Sequence, residues 1–215
     1  MAGGISVVVV AALAVVFAAL ALFFLFYRFY FLRKPGRKVP AGNVIVSPAC
    51  GKIVKIMIVG GRAKGTKVNK GLFGKVDLLV NDTIKKGYLI VIMMTPFDVH
   101  YQRAPVDGVV EKVSYRKGRF LNAVKDAASM QALQNERNEI VISHSRIGRI
   151  KVVQVAGFLA RRIRCFARPK QKIHKGGEIG LICLGSQVLL VVPELDLLVE
   201  EGQRVLDGET IIARF

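Results

Sequence analysis

The sequence predicts a mainly β domain, a compact sandwich or barrel with short helices, preceded by one N-terminal transmembrane helix. Three observations lead to this prediction. An uninterrupted apolar run occupies residues 5–27. The rest of the chain contains short β-type apolar runs that Gly, Pro, Asn and Asp interrupt. After the apolar run, only residues 122–133 have a convincing helical pattern.

The apolar run has the length of a membrane-spanning helix, because about 20 apolar residues cross the hydrocarbon core of a bilayer. Residues 1–27 contain no charged side chain, and aromatic side chains cluster at the end of the run. The basic residues that follow are Arg28, Arg33, Lys34, Arg37 and Lys38. A cleaved signal peptide fits less well, because the run is too long and no basic segment precedes it.

The basic residues after the run predict the orientation of the chain. By the positive-inside rule, the C-terminal domain lies in the cytoplasm, held at the cell membrane by a single-pass anchor. We expect the anchor and its interfacial flank over residues 1–32 and a basic linker over residues 33–42. The domain itself is expected over residues 43–215.

Eight segments after the linker have the composition of β-strands. They cover residues 44–47, 52–59, 88–94, 108–115, 139–144, 149–156, 187–192 and 210–215. The fifth and sixth flank a short polar turn at residues 145–148, which predicts a hairpin. Residues 47–51 and 104–108 share the pattern small-Pro-x-x-Gly before a strand. The simplest interpretation of that similarity is two alike turn–strand units without a shared function.

The chain has 33 Lys and Arg against 15 Asp and Glu, a net charge of +18. Such an excess of cations indicates an anionic partner, and the anchor favours an anionic membrane surface over nucleic acid. The three cysteines, Cys50, Cys165 and Cys183, are odd in number and lack CxxC spacing. We therefore expect neither a disulfide framework nor a metal site.

Two places could carry chemistry. A serine hydroxyl held against the preceding carbonyl can attack it, and in Gly185-Ser186 the glycine leaves that carbonyl unhindered. His100 ends a β-type run before a Pro/Gly turn, where a side chain can face a cleft and transfer protons near neutral pH. Taken singly, an ordinary turn and an ordinary strand-end histidine are the simpler interpretations.

Taken together, six ordered segments resemble the short-form phosphatidylserine decarboxylases, from about residue 43 to residue 215. The segments are Ser-Pro-Ala-Cys-Gly-Lys at 47–52, Asp-Val-His-Tyr-Gln-Arg-Ala-Pro at 98–105, Asn-Glu-Arg-Asn at 135–138, Val-Gln-Val-Ala-Gly-Phe-Leu-Ala-Arg-Arg-Ile at 153–163, Gly-Leu-Ile-Cys-Leu-Gly-Ser at 180–186 and Gly-Glu-Thr-Ile-Ile-Ala at 208–213. An N-terminal membrane segment is also usual in this group.

The resemblance implies a carboxy-lyase of phospholipid biosynthesis that makes its own cofactor. Cleavage between Gly185 and Ser186 would leave a β chain of residues 1–185 and an α chain of residues 186–215, and Ser186 would become a pyruvoyl group. The substrate would be phosphatidylserine or its archaeal ether-lipid counterpart, archaetidylserine, and the product the ethanolamine phospholipid and CO₂. A homodimer is compatible with the sequence.

The resemblance also implies roles for individual side chains. His100 is the expected proton donor. Arg103, Arg161 and Arg162 are expected to bind the phosphate or carboxylate of the lipid, because a guanidinium fork suits both groups.

One position departs from the family pattern. Where the family has the Asp of Ser-Pro-Ala-Asp-Gly, the acidic member of its self-cleavage machinery, this chain has Cys50. Cys50 could act as the base, another carboxylate such as Asp98 could replace it, or cleavage could be slow or lost. In the last case the chain would be a non-catalytic family member that binds anionic lipid or a lipid-synthesis partner.

Overall fold

The structure, a computed structural model, describes residues 2–60, 80, 83–118, 135–157, 162–183 and 186–215, with the backbone alone at residues 2–6 and Ser186. Contacts between residues divide the chain into two compact units, Met1–Pro35 and Gly36–Phe215. The predicted helix over residues 122–133 lies outside the described residues.

The first unit is helical. Helix α1, Ala2–Leu25, continues into a π-helical turn, Phe26–Phe31. Within the described residues, the stretch Val7–Phe31 is the one helix long and apolar enough to cross a membrane. The predicted apolar helix is therefore confirmed. At its end, the Arg33 guanidinium carbon lies 4.0 Å from the centre of the Tyr30 ring.

The second unit is built of strands. Those that the structure describes are β1 Val44–Val46, β2 Gly51–Val59, β3 Gly87–Met94, β4 Tyr101–Arg103, β5 Gly108–Arg116, β6 Arg137–His144, β7 Gly148–Ala156, β8 Ile163–Cys165, β9 Lys172–Ile173, β10 Glu178–Ile182, β11 Ser186–Pro193, β12 Asp196–Leu197, β13 Arg204–Val205 and β14 Ile211–Arg214. All eight predicted strands and the hairpin of β6 and β7 are confirmed.

The strands form three antiparallel sheets. The largest has the order β13-β2-β3-β11-β7-β6-β5-β9 and curls into a half-barrel, and the smaller sheets have the orders β1-β14-β12 and β4-β10-β8. Apolar side chains such as Ile90, Ile92, Ile140, Val152 and Leu190 are fully buried in the main core. The mainly β prediction is thus confirmed.

The two small-Pro-x-x-Gly turns begin equivalent halves of the second unit. One half contains the strand orders β13-β2-β3-β11 and β1-β14-β12, and the other repeats them as β9-β5-β6-β7 and β4-β10-β8. Gly51 pairs with Val205, and Gly108 pairs in the same way with Ile173. The sequence similarity of the turns therefore corresponds to a structural repeat, in which Cys50 and Asp107 are equivalent residues.

Candidate active site

Ser186 begins β11, which lies between β3 and β7 near the centre of the large sheet. Its backbone pairs with Met94 on one side and Ala156 on the other. In the other half of the repeat, the equivalent place is the turn that joins β6 to β7, because Gly148 pairs with His144. The chain reaches Ser186 from β10 instead, so a backbone bond here can break without removing a hairpin turn.

Gly185 and Arg161 lie outside the described residues, as does the side chain of Ser186. The predicted cleavage bond, and one of the three predicted lipid-binding arginines, therefore fall outside the part of the chain that the structure describes. Arg162 is described and exposed, beside strand β8.

His100 is fully buried. Its backbone is hydrogen-bonded to the chain segment that precedes Ser186. The Ile182 N–H donates to the carbonyl of His100 at 3.2 Å, which places His100 beside the segment that leads to Ser186. The Nδ1 atom of His100 lies 2.8 Å from the carbonyl oxygen of Asp98. Because a carbonyl oxygen only accepts, Nδ1 carries the proton of the neutral ring, and Nε2 is the nitrogen that could exchange a proton with a substrate.

A turn between β3 and His100 fixes this geometry. The carboxylate of Asp98 accepts from both the N–H and the hydroxyl of Thr95 at 2.8 Å, and its other oxygen pairs with Arg204. Asp98 is therefore occupied in closing the turn.

A chain of hydrogen-bonded, buried side-chain amides ends on the backbone carbonyl of His100. Gln102 Nε2 donates to the His100 carbonyl at 2.7 Å, Gln154 Nε2 donates to Gln102 Oε1 at 2.8 Å, and Asn138 Nδ2 donates to Gln154 Oε1 at 2.9 Å. A buried amide is costly unless it is bonded, so this chain ties His100 to β6 and β7. No sequence pattern identified the two glutamines as site residues. The one signal that could have found them is that each is a polar residue inside a motif that resembles the family.

The Asn-Glu-Arg-Asn motif also orders the site. Asn135 Nδ2 donates to the carbonyl of Ala156 at 2.8 Å, and Ala156 is the strand partner of Ser186. Two of the motif's four side chains thus hold strands on which the candidate site depends.

Cys50 lies in a buried polar cluster, here named the Asp207 cluster and consisting of Arg37, Cys50, Arg103 and Asp207. The Cys50 thiol donates to Asp207 Oδ1 at 2.8 Å, Arg37 Nη2 donates to the same oxygen at 2.5 Å, and Arg103 Nε donates to Asp207 Oδ2 at 2.8 Å. Asp207 is fully buried. Sequence analysis did not identify Asp207 as a site residue.

Burial, followed by the negative charge of Asp207, raises the pKa of the Cys50 thiol to about 12. The neighbouring Arg37 acts in the opposite direction but is the weaker influence. A thiol with so high a pKa is protonated near neutral pH, which disfavours Cys50 as a thiolate base.

Gly51, the last residue of the small-Pro-x-x-Gly turn that contains Cys50, has to be glycine. Its φ is +152°, and a Cβ atom there would lie 2.2 Å from the carbonyl oxygen of Met93. This close approach seats the motif against β3, whose Met93 pairs with Gln187 of β11.

Arg103, one of the arginines expected to bind the lipid headgroup, belongs to the Asp207 cluster. Its guanidinium bonds Asp207 and also donates to the carbonyl of Gly176 at 2.8 Å. Both contacts are largely buried, so the structure places Arg103 within the framework of the site.

Comparisons with known proteins agree with the motifs. A family model described as phosphatidylserine decarboxylase matches residues 23–213. A phosphatidylserine decarboxylase proenzyme of Wolbachia pipientis wMel is 38% identical over 186 residues, which are 86% of this chain and 74% of that protein. The proenzyme of Carboxydothermus hydrogenoformans is 39% identical over 89% of this chain and 80% of its own length, and that of Chlorobaculum tepidum is 37% identical over 93% and 83%.

Proposed function

The chain belongs to the phosphatidylserine decarboxylase family, and from this premise we propose that it is a self-processing decarboxylase that converts phosphatidylserine, or archaetidylserine, to the ethanolamine phospholipid. Its relatives are named proenzymes, which supports maturation by cleavage. No observation favours a non-catalytic lipid-binding role.

The observation on which the proposal depends is the position of the Gly185–Ser186 bond at the start of β11. Cleavage there would separate residues 186–215 from the rest, yet β11 would stay paired with β3 and β7 on both sides. The fold is thus compatible with a chain break at the predicted bond.

Apart from one water molecule, the proposed cleavage uses groups of this chain alone. The Ser186 hydroxyl attacks the Gly185 carbonyl carbon, so that a C–O ester bond replaces the C–N amide bond. Loss of the Cα proton of residue 186 and departure of the Gly185 carboxylate leave a dehydroalanine at residue 186. Water then hydrolyses this group, releasing ammonia and leaving a pyruvoyl terminus. Bound there, the pyruvoyl group supplies an electron sink for the loss of CO₂.

The contacts of the remaining side chains indicate the roles that we propose for them. His100 exchanges a proton through Nε2, because Nδ1 is committed to the carbonyl of Asp98. Exposed Arg162, with Arg161, binds the phosphate or carboxylate of the headgroup. Arg103 orders the site, since its guanidinium is bonded to Asp207 and Gly176.

The apolar helix and the net charge of +18 support action at a membrane. We place α1 across the cell membrane with the domain on the cytoplasmic side, where anionic lipid attracts its cations. The α and β chains of the precursor stay together, and a homodimer is compatible with this arrangement.

The test is the intact mass of the purified chain, together with release of CO₂ from phosphatidylserine and from archaetidylserine in mixed micelles. We expect two chains, a pyruvoyl-bearing fragment of residues 186–215, and decarboxylation of at least one of the lipids. Ser186→Ala should give one uncleaved, inactive chain, and the matched control Ser143→Ala, at an exposed serine of β6, should be cleaved normally.

A single uncleaved wild-type chain that is inert towards both lipids would refute the proposal. If such a chain still bound acidic vesicles in a salt-sensitive manner, the non-catalytic alternative would replace it.

A further inference from the structure

We propose that Asp207 is a positioning residue of the self-cleavage site and supplies the carboxylate that the first Pro-containing turn lacks at residue 50. The inference rests on the proposed function, because it concerns the same cleavage. It concerns a residue that no motif singled out, and it assigns Cys50 the role of a neutral hydrogen-bond donor.

The internal repeat gives the first argument. In the second half, Asp107 occupies the place equivalent to Cys50, and its Oδ1 accepts from the backbone N–H of Lys175 at 3.1 Å. In the first half, Cys50 Sγ accepts from the backbone N–H of Asp207 at 3.4 Å. The same side-chain-to-backbone contact occurs in both halves. In the second half, the carboxylate belongs to the accepting residue, Asp107. In the first half, it belongs instead to the residue that donates the N–H, Asp207.

The surroundings of Asp207 give the second argument. Its side chain has no exposed surface, and three groups donate to it: the Cys50 thiol, Arg37 Nη2 and Arg103 Nε. A buried carboxylate is tolerated only with such compensation, and two guanidinium groups balance its charge. Removing the carboxylate would take away the buried anion that both cations share.

The same contacts show what Asp207 holds in place. Arg103 lies on β4, three residues after His100, and its backbone N–H donates to the carbonyl of Pro48 at 2.9 Å. Asp207 thus fastens the strand after His100 to the turn at residues 47–51.

Asp207 acts at a distance from the cleaved bond. Lys52 pairs with Met93, and Met93 with Gln187, so the start of β2 lies two strand spacings, about 10 Å, from the start of β11. Because the Cys50 turn leads directly into β2, Asp207 influences Ser186 through β4 and β2 and is not a catalytic residue.

Residues 50 and 207 should be coupled. The Cys50 thiol and Asp207 Oδ1 are 2.8 Å apart, so carboxylates at both positions would repel each other. The variant Cys50→Asp alone should therefore be impaired, although it restores the family motif. Exchange of the two residues, Cys50→Asp with Asp207→Cys, should recover most of the activity because it returns one carboxylate and one thiol to the cluster.

The experiment follows self-cleavage of the full-length chain in detergent after a pulse of synthesis and measures folding separately by thermal unfolding on a Ser186→Ala background. Asp207→Asn should slow cleavage at least about tenfold, because it weakens buried hydrogen bonds to a charged group. Cys50→Ser keeps a donor for Asp207 and should slow cleavage less. The control Glu111→Gln removes a carboxylate from an exposed pair with Arg149 and should cleave at the wild-type rate.

Three results would overturn the inference: cleavage of Asp207→Asn at the wild-type rate, a greater loss in Cys50→Ser than in Asp207→Asn, or a loss no larger than the unfolded fraction of the chain explains. Should Asp207→Asn fail to fold, the test passes to the exchange variant, Cys50→Asp with Asp207→Cys. A folded exchange variant that does not cleave overturns the inference. A wild-type chain that never cleaves would instead refute the proposed function.

Discussion

At the scale of single residues, environment determines the role of Cys50. The motif alone allowed a thiolate base, but burial and the charge of Asp207 raise the thiol pKa to about 12. A cysteine of this kind donates a hydrogen bond and does not accept a proton at neutral pH.

The raised pKa of Cys50 predicts a dependence of stability on alkaline pH. Its pKa is about 12 in the folded chain against an ordinary value of 9.0, so the folded state retains the proton more strongly. The stabilisation from this group is fully present below pH 9.0 and disappears as the pH rises towards 12. The measurement is urea unfolding of Ser186→Ala and of the same variant with Cys50→Ser added. Above pH 9.0, the chain with the cysteine should lose more unfolding free energy than the chain with the serine.

Lysines and tyrosines also titrate at alkaline pH. Because both variants contain them, their contributions cancel in the difference between the two unfolding free energies. A difference in unfolding free energy that stays constant from neutral to strongly alkaline pH would contradict the environment assigned to Cys50.

At the scale of elements, β10 packs closely against the buried side chain of Gln154 on β7. A Cβ atom at Gly180 would lie 2.3 Å from Gln154 Nε2 and 2.8 Å from the carbonyl oxygen of Arg164. The sequence showed Gly180 only as part of a motif, and its packing role follows from the partner strands.

Gly180→Ala should therefore lower the free energy of unfolding by about 1–3 kcal/mol, the usual cost of overpacking a core. It should also slow self-cleavage, since the amide chain that supports His100 would have to shift. The measurement is chemical unfolding on the Ser186→Ala background. Gly36→Ala is the matched control, because nothing lies within 4 Å of a Cβ atom there. Equal stability of the two variants would contradict the packing described for β10.

At the scale of the whole molecule, the second unit is a repeat in which one half, β4 to β10, is inserted between β3 and β11 of the other half. The half that begins with β1, β2 and β3 is completed by β11, β12, β13 and β14 from the end of the chain. Cleavage before β11 would therefore cut the chain between two parts of the same half.

The fragment of residues 186–215 should remain bound after cleavage. It contributes β11 to the centre of the large sheet, and β14, which pairs with both β1 and β12. Native mass spectrometry in detergent should find one complex containing both chains, and denaturation in urea should separate them. Loss of the fragment under native conditions would show that these strand pairs do not hold it.

The sequence by itself determined the apolar helix, eight of the described strands, the β6–β7 hairpin and the family. Each of these follows from local sequence: composition predicts a helix through residues 5–27 and strands such as residues 88–94, and six ordered motifs indicate the decarboxylases. His100 belonged to a motif and could be found in the same way.

Only the tertiary structure decided the other described strands and the Asp207 cluster. Strands such as Tyr101–Arg103 and Arg204–Val205 are polar and brief, and they exist because distant partners complete their hydrogen bonds. Arg37, Cys50 and Asp207 meet although up to 170 positions separate them in the chain. Burial gives such a cluster its effect on pKa and charge, and burial is a property of the folded chain that no local pattern of residues encodes.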